Sequence, residues 1–364
     1  MRFRPATDAD RGTWEQLLGA AASGDFLHDW AWAAVAAFDG QPQRRFVLED
    51  SGTVVALVAV QTRGGLPLGR SFWYVPHGPV TDYDDPHAGE RLRAITLGLR
   101  ETARRAGSIA VKLEPRLAAG DPATALFAHL PLRRDAATVQ VGQTRLVPLL
   151  DDEALLASFD KDTRYAVRRA EREGVRIRRI TDAGDVVAID RLHELVTETQ
   201  QRAGFPLPPR ERYRLAWAEL GAAGRARILE AWHENRLLAS AMLVVEGERS
   251  FYLFSGSIRE APGEPKRFAS YALQWAMMRD ARDQGARTHD LWGIAPPGAS
   301  TRHPWHGVGL FKKGFGGVEV VWAGTWDLVV DPAAFRLRRA VGMMRGAVRR
   351  GPRLPAWLLR RVRP

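Results

Sequence analysis

Leu237-Leu238-Ala239-Ser240-Ala241-Met242-Leu243-Val244-Val245, then Phe251-Tyr252-Leu253-Phe254, a span from Phe268 to Arg282, Gly285, and Thr288-His289-Asp290-Leu291-Trp292 read as strand, strand, long helix, glycine, strand. The same order stands about 180 residues earlier: Val54 to Gln61 and Phe72 to Val75 as strands, Glu90 to Arg105 as a helix, and Ile109 to Leu113 as a strand after Gly107. Recurrence of one supersecondary pattern at a fixed offset is the mark of a duplicated unit. Gly107 and Gly285 are expected to cap the two helices, because glycine enters the left-handed region without steric cost. Between the halves, Leu146 to Leu149 reads as a short strand, Ser158 to Glu173 as a helix ending at Gly174, and Val175 to Ile180 as a strand. A helix over Val186 to Arg202 follows, then the proline-stiffened loop Phe205 to Arg210, and Val318 to Val330 reads as strand, turn, strand. The expected division is residues 1–145, 146–330 and a tail, 331–364.

The chain has 364 residues, 45% of them hydrophobic, which favours two domains over one. The first residues lack the apolar core of a signal peptide, and no stretch offers about 18 consecutive apolar residues. A cytoplasmic protein is expected. There is no cysteine, so disulfides, thiolate metal sites and a cysteine nucleophile are excluded, and the nine histidines show no metal-ligand spacing. Neither a metal nor a cofactor is expected. The net charge of +11 sits mainly in the tail, where ten arginines and no acidic residue follow Asp331. Arg336 to Arg350 reads as a basic amphipathic helix with Leu337, Val341, Met344 and Val348 on one stripe, and Trp357, Leu358 and Leu359 form a second apolar group. Such an end suits anionic lipid headgroups or RNA phosphates; the alternative is a helix docked on the protein with its arginines in water.

A mixed order of strands and helices, without GxGxxG after a first strand or GxxxxGK[ST], argues against a dinucleotide-binding or nucleoside-triphosphatase fold. Several segments carry a different resemblance. Phe26-Leu27-His28-Asp29-Trp30 stands where a Phe-x-Gln-Ser-x-x-Trp element would, with His28 and Asp29 departing from it. Tyr74-Val75-Pro76-His77-Gly78-Pro79-Val80-Thr81-Asp82 and Lys112-Leu113-Glu114-Pro115 follow. In the second half come Lys161-Asp162-Thr163-Arg164-Tyr165-Ala166-Val167-Arg168-Arg169-Ala170, then His289-Asp290-Leu291-Trp292-Gly293-Ile294, Gly309-Leu310-Phe311-Lys312-Lys313-Gly314-Phe315-Gly316-Gly317 and Gly324-Thr325-Trp326-Asp327-Leu328. In order and spacing these segments resemble the Fem family of non-ribosomal aminoacyl transferases, of the type without a long helical arm.

The resemblance implies an α/β (α+β) chain of two tandem GNAT-like (acyl-CoA N-acyltransferase-like) domains with mixed sheets, followed by the basic C-terminal helix. It implies a reaction between aminoacyl-tRNA and an amine of a lipid-linked or UDP-linked muropeptide precursor. Because an aminoacyl ester is already activated, the enzyme's work is to align the amine and stabilise negative charge on the carbonyl oxygen. Lys312 matches the family lysine implied to do the latter, with Phe311 beside it. Asp82 matches the aspartate after the Gly-Pro turn and is the candidate to orient or deprotonate the amine; it reads equally as a turn residue. His77, replacing the family's basic residue, is a candidate contact to phosphate or ribose. Arg164, Arg168 and Arg172 share a helix face suited to a diphosphate or the acceptor stem, Arg164 foremost. Arg210 and Tyr213 resemble a family Arg-x-x-x-Tyr pair that contacts the precursor, but the spacing is one residue shorter, which leaves Arg202 and Arg212 as competing positions. Tyr252 resembles a strand tyrosine facing the substrate cleft, and Trp292 reads as structural. Two alternatives stand beside this one. An acyl-CoA-dependent acyltransferase would need an Arg/Gln-x-x-Gly-x-Gly/Ala loop, which neither half shows, and a non-catalytic binder of RNA or membranes would use the tail.

Overall fold

A computed structural model describes residues 1–64, 69–135, 137–204, 206–296, 298–303 and 305–340. The first half contributes β1 (Arg2–Pro5), α1 (Arg11–Ala20), α2 (Trp32–Phe38), β2 (Gln43–Asp50), β3 (Thr53–Arg63), β4 (Ser71–Val75), β5 (Val80–Thr81), α3 (Ala88–Arg105), β6 (Ser108–Leu113), α4 (Thr124–Ala128) and β7 (Arg133–Asp135). There follow β8 (Gln143–Pro148), α5 (Asp152–Ser158), α6 (Lys161–Arg172), β9 (Arg176–Ile180), α7 (Val186–Ala203), α8 (Arg210–Ala222), β10 (Ala226–His233), β11 (Arg236–Glu246) and β12 (Arg249–Ser257). The chain continues through α9 (Ala269–Asp283), β13 (Thr288–Asp290), α10 (His306–Lys313), β14 (Val318–Val321) and β15 (Thr325–Val329).

The duplication read from the sequence is present in the sheets. In the first sheet β2, β3 and β4 run antiparallel and β4 pairs parallel with β6; in the second, β10, β11 and β12 run antiparallel and β12 pairs parallel with β13. The crossover helix is α3 in one case and α9 in the other. Gly107 and Gly285 follow those helices at φ 70° and 92°, as the sequence predicts.

Sheet membership departs from the linear division at residues 145 and 330. The strand that flanks β6 is β15, from the far end of the chain, while the strand that flanks β13 is β8, which straddles residue 145. The expected strand-turn-strand over Val318 to Val330 is therefore not a hairpin: β14 pairs with β8 in the second sheet and β15 with β6 in the first. Trp322, Ala323 and Gly324 carry the chain from one sheet to the other. The expected helix over Ser158 to Glu173 is α6, which starts only at Lys161, where the Asp160 carboxylate accepts the N–H of Thr163 at 2.7 Å; Ser158 instead ends the separate helix α5.

Each sheet has its own core, with α3 over the first and α9 over the second. A third cluster spans the halves: Phe26, Trp32 and Val35 pack with Leu192, Tyr213, Trp217 and Phe251. The Phe26 ring lies 5.0 Å from Phe251 and 5.4 Å from Trp292. Of the tail, residues 332–340 are helical, with Phe335 buried against Phe72 and Ile109 and Leu337 65% exposed. The rest of the expected basic helix, and the group at Trp357 to Leu359, lie outside the described residues. No described helix is long and apolar enough to cross a membrane.

Candidate active site

Strands β12 and β13 pair over only three residues each, Arg249 with Thr288 to Phe251 with Asp290. Beyond them β12 continues along β11, while the chain after Asp290 turns away through Trp292, held at φ 59°. A non-glycine residue in that region is strained, and such strain persists where the surroundings fix it. The sheet therefore opens between Tyr252 and Trp292, and α10 delivers Lys312 to the opening. Its Nζ donates to the carbonyl of Gly293 at 2.7 Å and to that of Trp292 at 3.3 Å, and lies 5.8 Å from the centre of the Tyr252 ring. Lys312 is 6% exposed and makes no salt bridge among the described residues. Burial pushes its ammonium down to about 7, with the charge of Asp290 pulling the other way. Position in the last turn of α10 favours the charged form through the helix dipole. Phe311 anchors this helix end, packing with Tyr271 and Phe315 at 5.1 Å each. Lys313 is exposed.

Lys312, Phe311 and Tyr252 are thus brought together. The other expected residues fall elsewhere. The half-buried Arg164 donates to the carbonyls of Ala157 and Phe159, holding the α5–α6 corner rather than presenting a free guanidinium. Arg202 donates to Ser257 O at 2.6 Å and pairs with Glu198. Arg210 stands 3.8 Å from both Asp190 and Glu194, whereas Arg212 reaches a cavity of about 310 Å³ between the halves, lined also by Arg63, Gln61, Gln140, Phe254 and Trp292. Arg212 Nε donates to Asp39, and its Nη groups make no hydrogen bond among the described residues. Tyr213 is buried, with its ring 4.4 Å from Phe254. Asp82 is exposed, and its carboxylate accepts the N–H of Asp84 at 3.0 Å, which is the turn role. Trp292 is both structural and cavity-lining.

His77 departs from the expectation of a turn histidine open to phosphate. Only 2% exposed, with φ 45°, it points inward between the rings of Trp292 and Trp322. Its Nδ1 lies 2.7 Å from Asp25 Oδ2, and Arg116 stands between Asp25 at 3.7 Å and Asp290 at 3.0 Å. Asp290 also accepts the Thr144 hydroxyl and, at 2.8 Å, the N–H of Trp292. Burial alone would push Asp25 up, but His77 and Arg116 more than offset it and hold the carboxyl below its usual range. Sequence reasoning missed this cluster. Its members come from four separated segments, and none carries a local pattern that pairs it with the others. Its effect on the site is direct, because Asp290 fixes the Trp292 turn whose carbonyl holds Lys312.

Residues 157–300 match the family described as acetyltransferase (GNAT) domain. The chain is similar to a UDP-N-acetylmuramoylpentapeptide-lysine N(6)-alanyltransferase of Weissella viridescens, 25% identical and covering 77% of this chain and 83% of the relative. It is similar also to a lipid II:glycine glycyltransferase of Staphylococcus aureus, 23% identical over 86% of this chain and 90% of that one. Among solved structures, that of FemX superposes with a TM-score of 0.82 at 20% identity, covering 93% of this chain and 99% of FemX. The chain resembles the Fem-type transferases along most of its length. It is an enzyme of the aminoacyltransferase kind, built from two tandem GNAT-like units. The opening between β12 and β13 that carries Lys312 is accordingly its candidate catalytic centre.

Proposed function

We propose that this Fem-type enzyme moves an amino acid from aminoacyl-tRNA to an amine of a peptidoglycan precursor's stem peptide, lipid-linked or UDP-linked. The observation that carries the reading is Lys312, a buried ammonium without a carboxylate partner among the described residues, held by two main-chain carbonyls where the second sheet opens. The amine lone pair attacks the ester carbonyl carbon, and the Lys312 ammonium stabilises the oxyanion. The carbon–oxygen bond to the ribose then breaks, the tRNA leaves with its terminal hydroxyl protonated by the proton the amine gives up, and an amide remains. No cofactor is required, since the ester is activated. Phe311 and Tyr252 border the reacting groups. Asp82 remains the sequence candidate for receiving the amine proton, and its position in an exposed turn calls for substrate to reach it. The protein works in the cytoplasm, and its arginine-rich tail holds it to the anionic inner face of the membrane where the precursor is lipid-linked.

Transfer of labelled amino acids from a total aminoacyl-tRNA pool to the two precursors tests the reaction. Label on one precursor, lost with Lys312→Ala, supports it; transfer undiminished in the variant overturns the role of Lys312. Acetyl transfer from acetyl-CoA, with none from tRNA, would favour the acyl-CoA reading that the acetyltransferase-domain match brings to mind.

The precursor's diphosphate is assigned to the cavity shared by Arg63 and Arg212. Arg212→Ala is expected to raise KM for the precursor roughly 10-fold or more, the cost of a charge-assisted hydrogen bond. Arg210→Ala, on a surface ion pair, is expected to change it less than about 3-fold. Steady-state kinetics with the precursor varied separates the two.

A further inference from the structure

Helices α2 and α8 lie side by side, and ion pairs tie them at both ends in an antiparallel sense. At one end Arg212 Nε donates to Asp39 at 2.9 Å, on the wall of the cavity between the halves. At the other, Arg225, just past α8, donates through Nε to Asp29 Oδ2 at 3.1 Å, and Asp29 accepts the N–H of Ala31 ahead of α2 at 2.7 Å. This second tie lies in the joint between the halves and is shared with a further carboxyl. Glu246, which ends β11, has its Oε2 3.7 Å from the same Nε. It is 0% exposed, and neither of its oxygens accepts a hydrogen bond among the described residues. The joint has no room to relax around it: a Cβ on Gly247 would stand 2.0 Å from the carbonyl oxygen of Gly19 in α1.

The charged groups that face Glu246 leave one carboxyl over. They are Asp29, Arg225, Glu15 of α1, whose Oε2 is 3.9 Å from Arg225, and Arg249 of β12, whose Nη2 donates to Leu18 O at 2.9 Å. Arg11 and Arg45 lie beyond Asp29, and Glu248, Arg116, Asp25 and His77 beyond Arg249. In the joint, Asp25, Asp29, Glu246 and Asp290 meet the guanidiniums of Arg116, Arg225 and Arg249 alone. Asp25, Asp29 and Asp290 each accept a main-chain N–H, and Glu246 accepts none. A buried carboxylate without donors is costly, and the neutral acid is favoured. Burial, followed by the Asp29 carboxylate, pushes the Glu246 carboxyl up to about 9.

We propose that Glu246 carries a proton, donates it in a hydrogen bond to Asp29, and in this form positions α2 and α8 for the precursor. The proposal rests on the assignment of the cavity between the halves to that substrate. With the proton in place Arg225 belongs to Asp29, and both ties hold the helices that bring Trp32, Asp39 and Arg212 to the cavity. When the proton passes to solvent, a second carboxylate competes for Arg225 and repels Asp29, and the tie farther from the cavity loosens. Asp29 and Glu246 are thus positioning residues, acting through the two helices.

The test is equilibrium binding of the UDP-linked precursor to the full chain, wild type and Glu246→Gln, by calorimetry from pH 7 to pH 10. No aminoacyl-tRNA is present, so hydrolysis of its ester in alkali does not enter. For a group titrating near 9, the protonated form falls to about a tenth at pH 10, and the wild-type Kd is expected to rise roughly 10-fold. Glutamine keeps a donor toward Asp29 at every pH, so Glu246→Gln is expected to hold at pH 10 the affinity it has at pH 7. An equal rise in both proteins would belong to the ligand's own titration and overturn the proposal. Urea unfolding is the second readout. Folded Glu246 keeps a proton that the unfolded chain gives up near 4.5, so the wild type should lose stability relative to Glu246→Gln as the pH rises from 5 to 9, and no more beyond it. A difference that does not change with pH refutes the proton on Glu246. If the precursor binds at no pH, the cavity assignment fails by itself, and unfolding still decides whether the proton is there.

Discussion

Lys312→Met is expected to lose transfer by roughly 10²–10³-fold, the usual cost of removing one oxyanion-stabilising group, and at the same time to melt higher than the wild type at pH 6. The second effect follows from linkage. Lys312 titrates near 7 in the fold, against an ordinary lysine value of 10.5. Below about pH 7 both folded and unfolded chains carry the proton, and the folded state bears the full cost of a buried charge. Between about 7 and 10.5 the unfolded chain binds more protons, so the wild type gains stability as the pH rises. Methionine removes the buried charge but leaves two carbonyls short of a donor, which returns about 1–3 kcal/mol. The net gain is expected to be on the order of 1–3 kcal/mol at pH 6 and to reverse by pH 10, where the wild type has regained roughly 4 kcal/mol. Thermal melts at the two pH values, alongside the transfer assay, check both halves. A variant as active as the wild type, or one less stable at pH 6 than at pH 10 relative to it, would contradict the account.

Arg116→Met is expected to cost about 3–5 kcal/mol, because it strands the buried carboxylates of Asp25 and Asp290 without their shared cation. The double variant Arg116→Met with Asp290→Asn should recover part of that loss, since one of the two orphaned charges is gone. Urea unfolding gives both numbers. Loss under about 1 kcal/mol in the single variant would mean that His77 and Thr144 suffice for the two carboxylates. The reach of the change is not confined to stability: a loosened Asp290 releases the Trp292 turn, and transfer should fall even at temperatures where the variant is fully folded.

The duplicated core was legible because its strands are nearly continuous apolar runs. Val54 to Gln61 and Leu237 to Val245 are buried on both faces, and a run of that kind survives inspection without an alignment. Their neighbours β2 and β10 were not read as strands, for Gln43-Arg44-Arg45 and Glu230 interleave charge with apolar residues at the sheet margin. The strand, turn and strand over Val318 to Val330 were read correctly, but the pairing of the two strands was not legible. A glycine between two apolar runs looks the same whether the chain doubles back or crosses to another sheet, and only the partners β8 and β6 decide. At the candidate site, Lys312 was singled out through its setting, Phe311-Lys312-Lys313-Gly314-Phe315, whose packing is local. Arg212 rather than Arg210 faces the cavity because two positions on α8 are about 200° apart around the helix. The burial of His77 was not legible because it depends on Trp292 and Trp322, more than 200 residues away.

The exchange of flanking strands bears on how the protein is made. A ribosome delivers the chain from its N-terminus, and most leading domains fold before the rest has emerged. Here β6 keeps an open edge, and β7 has no neighbour, until Thr325 to Val329 arrives. During synthesis the first sheet therefore waits, half finished, through the whole of the second, and the apolar edge of β6 is the surface that a nascent-chain chaperone would have to cover.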